Sequence, residues 1–160
     1  MGAVRRGVYA GFFDPVTVGH LDIIGRACKL VDEVVVAVGN NPAKRYLFPL
    51  AQREAMMREA TAALPVRVVS FSGLLVDACR REEADVIVRG LRSVADFDSE
   101  FRYGLANRDL SGVETVFLIA DPAHLFVSSS IVREIAQNGG DASRYVPANV
   151  AAALAERIGR

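Results

Sequence analysis

The sequence predicts an α/β fold: a single doubly wound, Rossmann-like domain with a five-stranded parallel sheet and helices on both faces. Three observations carry this. Short β-branched runs alternate with stretches of helical periodicity along the chain, the pattern of successive βαβ units. Several runs are continuously apolar, among them Val34-Val35-Val36-Ala37-Val38 and Val116-Phe117-Leu118-Ile119, which suits strands covered on both faces and hence a parallel sheet. The chain has 160 residues, 51% of them hydrophobic, and shows no internal repeat, low-complexity stretch or linker, so one domain over 1–160 with one substantial core is expected.

The elements follow in order. A first strand at 7–10 leads through the turn Gly11-Phe12-Phe13-Asp14-Pro15-Val16-Thr17-Val18-Gly19-His20 into a helix at 20–30. Thr17 is its expected N-cap, which puts His20 in the first turn beside unpaired amides. Gly11 and Gly19 are expected to let backbone approach a ligand. A second strand at 33–39 ends on a loop carrying Lys44 and Arg45, before a helix at 50–63. The third strand, 66–71, is followed by Ser72-Gly73-Leu74-Leu75, which opens a helix at 74–83 and offers a small apolar wall. The fourth, 85–89, runs into Arg89-Gly90-Leu91-Arg92 and a helix at 95–110, whose Phe97, Phe101 and Leu105 form one apolar stripe expected to pack in the core. A fifth strand at 113–119 precedes the run Ser128-Ser129-Ser130, in which at least one hydroxyl is an expected N-cap, and helices at 129–138 and 147–158 complete the chain.

Composition narrows the function. Nineteen basic and 19 acidic residues give no net charge, which argues against a nucleic-acid binder that works by neutralising phosphates along a groove. Cys28 and Cys79 have neither metal-ligand spacing nor a secreted-domain pattern, so both read as buried or half-buried thiols in a reducing compartment. No extended apolar segment follows Arg5 and Arg6, and no run approaches membrane-spanning length, so a soluble, cytoplasmic protein without a membrane partner is expected.

Doubly wound sheets bind ligands outside the carboxyl ends of their strands. Four strand ends here bring phosphate-compatible groups: His20, Lys44, Arg89 with Arg92, and the serine run. A helix N-terminus favours negative charge, and His20 in that turn could hold a phosphoryl oxygen as charge builds. Arg89 ends a buried type of strand, where it needs a phosphate or a carboxylate as partner. The coincidence points to a polyphosphate ligand. Neither the P-loop nor the G-x-G-x-x-G pattern is present.

The segments G-x-FDP-x-T-x-GH, N-P-x-K, IVRGLRSVADFDSE and FVSSSIVREIA together resemble the bacterial phosphopantetheine adenylyltransferases, over roughly residues 4–158. The resemblance implies adenylyl transfer from ATP to 4′-phosphopantetheine, by direct in-line attack with no covalent intermediate, giving dephospho-coenzyme A and pyrophosphate. It implies that His20, Lys44 and Arg92 serve catalysis, and that Phe12, Lys44, Leu75 and Arg89 bind the acceptor. It places ATP against Phe12, Phe13, His20, Gly90, Leu91, Arg92, Glu100, His124, Leu125, Phe126, Val127, Ser128, Ser129 and Ser130. Mg²⁺ is implied with ATP, without a dedicated protein metal site; Asp96 and Asp98 read as solvated or ion-paired charges. A homohexamer, with coenzyme A as a possible feedback ligand, is implied as well. Two positions depart from the family pattern. Phe12 stands where Thr or Ser usually offers a hydroxyl to phosphate, and His124 stands where many relatives have an aromatic such as Trp. A lost hydrogen bond of ~1–3 kcal/mol is open to three accommodations: a turned-away Phe12 with backbone amides in its place, a compensating donor such as Ser129, or weakened activity. The alternatives are another small nucleotidyltransferase, or a non-catalytic nucleotide- or coenzyme A-binding protein if Phe12 disables the site.

Overall fold

The computed structural model describes residues 4–159. Five strands, β1 (Arg6–Gly11), β2 (Glu33–Gly39), β3 (Val66–Phe71), β4 (Val86–Leu91) and β5 (Glu114–Ile119), form one parallel sheet in the order β3-β2-β1-β4-β5. Six α-helices connect or follow them: α1 (Val18–Ala27), α2 (Leu50–Ala60), α3 (Leu75–Arg81), α4 (Val94–Ser111), α5 (Ser129–Gln137) and α6 (Ala148–Ile158). The chain winds outward from β1 to β3, then crosses back to β4 on the other side of β1. The crevice of such a sheet therefore lies at the carboxyl ends of β1 and β4.

Parallel strands need crossovers, and the crossovers supply a layer on each face. Ile23 and Ile24 of α1, Met56 and Met57 of α2, Val132 of α5 and Val150 of α6 pack with Tyr9, Val34, Val36 and Val38 on one face. Cys79 of α3 packs with Val8, Ala10, Val35, Ala37 and Ile87 on the other. The alternation of strand side chains explains this division: even-numbered β2 valines go one way, Val35 and Ala37 the other. Cys28 is half-buried and Cys79 buried, as their helical settings suggested.

Two expectations are corrected. The Phe97–Phe101–Leu105 stripe is not core: α4 contains no buried residue, and these side chains remain 44%, 48% and 43% exposed. Phe97 touches Phe101 and meets Phe117 edge-on, but among the described residues no further layer lies over them. Likewise β5 is not covered on both faces; it is the sheet edge, and Val116 and Ile119 are exposed. Hydrophobic periodicity identifies the apolar face of an element, not whether its partner lies in the same chain. Smaller differences are that α1 stops at Ala27, residues 28–30 closing as a turn on Arg26 and Ala27, and that short 3₁₀ turns form at Pro122–His124 and Ser143–Tyr145.

Candidate active site

A cleft of about 460 Å³ opens at the carboxyl ends of β1 and β4, over the N-termini of α1 and α5. Its floor is the turn after β1. Phe13 there adopts a left-handed backbone (φ 48°), which a bulky residue holds only when its surroundings fix it. Its ring supplies that constraint: it is 3% exposed, 5.6 Å from Tyr9, and edge-on to His20 at 4.9 Å. Gly11 makes room for it, since a Cβ there would stand 3.1 Å from the ring. Gly11 thus makes the Phe13 packing possible and itself lines the cleft, and Gly19, also on the lining, faces His124 and the Val127 carbonyl. The next peptide, Asp14-Pro15, is cis. Buried Asp14 accepts from the amides of Leu47 and Phe48, tying the turn to the loop before α2.

His20 sits at the third position of α1, where Thr17 and His20 form a reciprocal cap. The His20 amide donates to Thr17 Oγ1 at 3.3 Å, and the Thr17 amide donates to His20 Nδ1 at 3.0 Å. An amide only donates, so Nδ1 is the acceptor and Nε2 carries the proton of the neutral ring. Burial, then the positive charges of Arg92 and Arg89, lower the His20 pKa to about 4. His20 is therefore a neutral N–H donor lining the cleft, not an imidazolium.

The β4 side carries two paired arginines. Arg89 Nε and Nη2 donate to the two carboxylate oxygens of Glu100, both at 2.7 Å, and Nη1 donates to the Ala10 carbonyl at 2.8 Å. Burial works against the Arg89 charge, but Glu100 more than offsets it and the guanidinium lies above its ordinary range. Arg92 lies 3.4 Å from Asp96 and donates to the Val127 carbonyl. Tyr9, beneath these groups, is pushed up to about 12 by burial despite both arginines.

On the opposite side, Lys44 is exposed and its Nζ lies 3.8 Å from the centroid of the Phe12 ring. Fully buried Arg53 donates from Nη1 to the carbonyls of Phe12 (2.7 Å) and Gly39 (2.8 Å) and from Nε to that of Phe48 (3.1 Å). Desolvation lowers its pKa, with Asp14 acting in the other direction. At the α5 end, Ser128 is the N-cap, accepting from Ile131, while Ser129 donates its hydroxyl to the Pro15 carbonyl at 2.7 Å. Ser130 Oγ accepts from Arg133, which also donates to the Asp14 carbonyl.

Of the residues singled out from the sequence, Phe12, Phe13, His20, Leu75, Arg89, Gly90, Arg92, Glu100, His124, Val127 and the three serines line this one cleft. Lys44 stands at its rim on Phe12. Leu91 is not among the lining residues; Leu125 and Phe126 are exposed, the latter edge-on to Tyr145. Glu100, expected beside the nucleotide, has both oxygens engaged by Arg89. The Ser129 hydroxyl, a candidate substitute for the missing hydroxyl at position 12, here donates to the Pro15 carbonyl.

Residues 8–135 match the family described as cytidylyltransferase-like. A phosphopantetheine adenylyltransferase of Streptomyces coelicolor is 51% identical over 156 residues, covering 97% of this chain and 98% of its own. The chain belongs to the phosphopantetheine adenylyltransferase family. Another member of that family, from Thermobifida fusca, is 53% identical over 145 residues, 90% of this chain and 88% of its own. Fold similarity reaches further. A bifunctional NMN adenylyltransferase/ADP ribose pyrophosphatase from Francisella tularensis, solved with AMP and a manganese ion, superposes over 99% of this chain with a TM-score of 0.74 at 16% identity. This chain spans about half (50%) of that protein. A lipopolysaccharide core biosynthesis protein from Thermoplasma volcanium covers 74% of this chain and 98% of its own, with a TM-score of 0.55 at 22% identity.

Sequence reasoning missed Arg53, Asp14, Tyr9 and Arg133. Arg53 had a signal: it shares a helix face with Leu50, Met56 and Met57, so a charge at an apolar position marked it as buried and multiply bonded. Asp14 and Arg133 lay inside the quoted G-x-FDP and FVSSSIVREIA segments, but their partners on separate elements could not be read there, and Tyr9 had no signal.

Proposed function

We propose that this chain transfers the adenylyl group of ATP to 4′-phosphopantetheine, giving dephospho-coenzyme A and pyrophosphate, within a single nucleotidyltransferase domain over 1–160. The observation that carries the proposal is the neutral His20 at the start of α1, its Nδ1 fixed by the Thr17 amide, in one cleft with Arg89 and Arg92. The acceptor phosphate oxygen forms a bond to the α-phosphorus as the bond to pyrophosphate breaks. With no covalent intermediate, the protein acts by positioning and charge stabilisation. His20 donates Nε2–H to a phosphate oxygen that gains charge, a role worth about 10²–10³-fold where one such donor is removed. Arg89 offers its remaining N–H groups to the acceptor phosphate, Arg92 and Lys44 meet the nucleotide and reacting phosphates, and Leu75 lines the acceptor's apolar arm. Gly90 and the 124–130 segment hold adenosine and phosphates.

Mg²⁺ enters with ATP, neutralising triphosphate charge. Phosphate oxygens and water suit it as ligands, because Asp96 and Glu100 at the cleft are already paired with arginines and the described residues hold no cluster of three metal-ligating side chains. The exposed α4–β5 apolar surface supports assembly, proposed as a homohexamer, with coenzyme A as a feedback ligand. No helix among the described residues is long and apolar enough to cross a membrane. We read the chain as a cytoplasmic enzyme, and its balanced charge favours small phosphate ligands over a nucleic-acid partner. The test is pyrophosphate release from MgATP with and without 4′-phosphopantetheine. Acceptor-dependent release is expected; nucleotide binding without it would overturn the proposal in favour of a non-catalytic binder.

A further inference from the structure

We propose that Phe12 is a positioning residue that acts through Lys44, its ring seating the ammonium at the rim of the cleft instead of contacting phosphate itself. The inference rests on the function proposed above for Lys44. The aromatic ring has no hydrogen to donate, yet it is not turned out of the site: it lines the cleft, and Lys44 Nζ stands 3.8 Å from its centroid. That is cation–π distance, and no carboxylate pairs with Lys44 among the described residues.

The ring is itself fixed from its other sides. Arg53 Nη1 holds the Phe12 carbonyl and the Gly39 carbonyl together, clamping the ends of β1 and β2. Tyr46 lies against the ring at 5.8 Å, and Tyr46 in turn carries the Arg53 guanidinium 4.0 Å over its own face. Gly39 completes the seat: a Cβ at that position would come within 3.1 Å of two ring carbons. An aromatic side chain at position 12 thus fits because position 39 has none. A lysine in mid-loop has many rotamers to lose on meeting a phosphate, and a fixed ring removes part of that freedom beforehand.

The test uses the full chain and two readouts. In the first, NMR of the Lys44 ε-methylene is expected to show an upfield ring-current shift that Phe12→Leu abolishes and Phe12→Tyr retains. Gly39→Ala, which crowds the ring without touching Lys44, should diminish it. In the second, Phe12→Leu should raise the KM for 4′-phosphopantetheine about two- to five-fold, the range of an exposed cation–π contact, with a smaller change in kcat. The same substitution in a Lys44→Ala background should then change nothing, and Phe12→Tyr should restore the wild-type KM. An ordinary ε-methylene shift in the unsubstituted protein, or an undiminished effect of Phe12→Leu without Lys44, would overturn the inference. The NMR readout needs no turnover, so absence of acceptor-dependent pyrophosphate release would sink the proposed function while the ring-current result still decides the seat.

Discussion

The two sides of the cleft hold their positive charge by different means. On the β4 side each arginine carries a carboxylate: Arg89 is locked to Glu100 by two 2.7 Å bonds and Arg92 lies beside Asp96. On the β1–β2 side Lys44 rests on a ring, and the buried charge of Arg53 is spread over three carbonyl oxygens. His20, between them, carries no charge. The β4 side is therefore a rigid fork, with part of its field already neutralised. The β2 side keeps an unneutralised ammonium but restrains it weakly. One side is built for geometry and the other for charge.

The largest break in this comparison is expected from His20→Ala. It removes the neutral donor between the two sides, and pyrophosphate release should fall about 10²–10³-fold with little change in ATP binding. Next comes Arg53→Met, which leaves the carbonyls of Phe12, Gly39 and Phe48 without their donor. Urea denaturation should show a loss of about 3 kcal/mol, and Arg53→Lys should recover only part, since a point charge cannot serve all three acceptors in one plane. Arg89→Ala should raise the KM for the acceptor about 10- to 100-fold, more than any change at Phe12, because a charge-assisted contact is lost rather than loosened. A smaller effect comes from pH. Folded His20 titrates near 4 instead of 6.5, so below 6.5 the unfolded chain binds a proton that the folded one refuses. Stability from this group is full above pH 6.5, falls as pH drops toward 4, and is flat below. Between pH 7.5 and 5 the unsubstituted protein should lose roughly 2 kcal/mol more than His20→Gln does.

Much of this was legible in the sequence, for identifiable reasons. Parallel strands buried on both faces must be continuous apolar runs, and β2 with its Val34–Val38 core is one. T-x-G-H put a capping threonine three residues before a histidine, so the N-cap was legible, while the return bond to His20 Nδ1 appears only in the structure. What could not be read were contacts between elements. Arg89 demanded a partner, but Glu100 reaches it only because α4 folds back over β4, and the sequence left phosphate and carboxylate equally open. The α4 stripe looked like core because periodicity is silent about which chain supplies the covering layer. Nor could the sequence show that Lys44 and Gly39 stand against the Phe12 ring, because both contacts cross between separate segments of the chain.

In the proposed reaction His20 acts as a neutral Nε2–H donor with Nδ1 held by the backbone. Nitrogen-15 NMR of the histidine ring at pH 6 tests it directly. A protonated Nε2 and an unprotonated, hydrogen-bonded Nδ1 are expected, with no titration until the pH approaches 4. An imidazolium at pH 6, or a proton on Nδ1, would contradict the account.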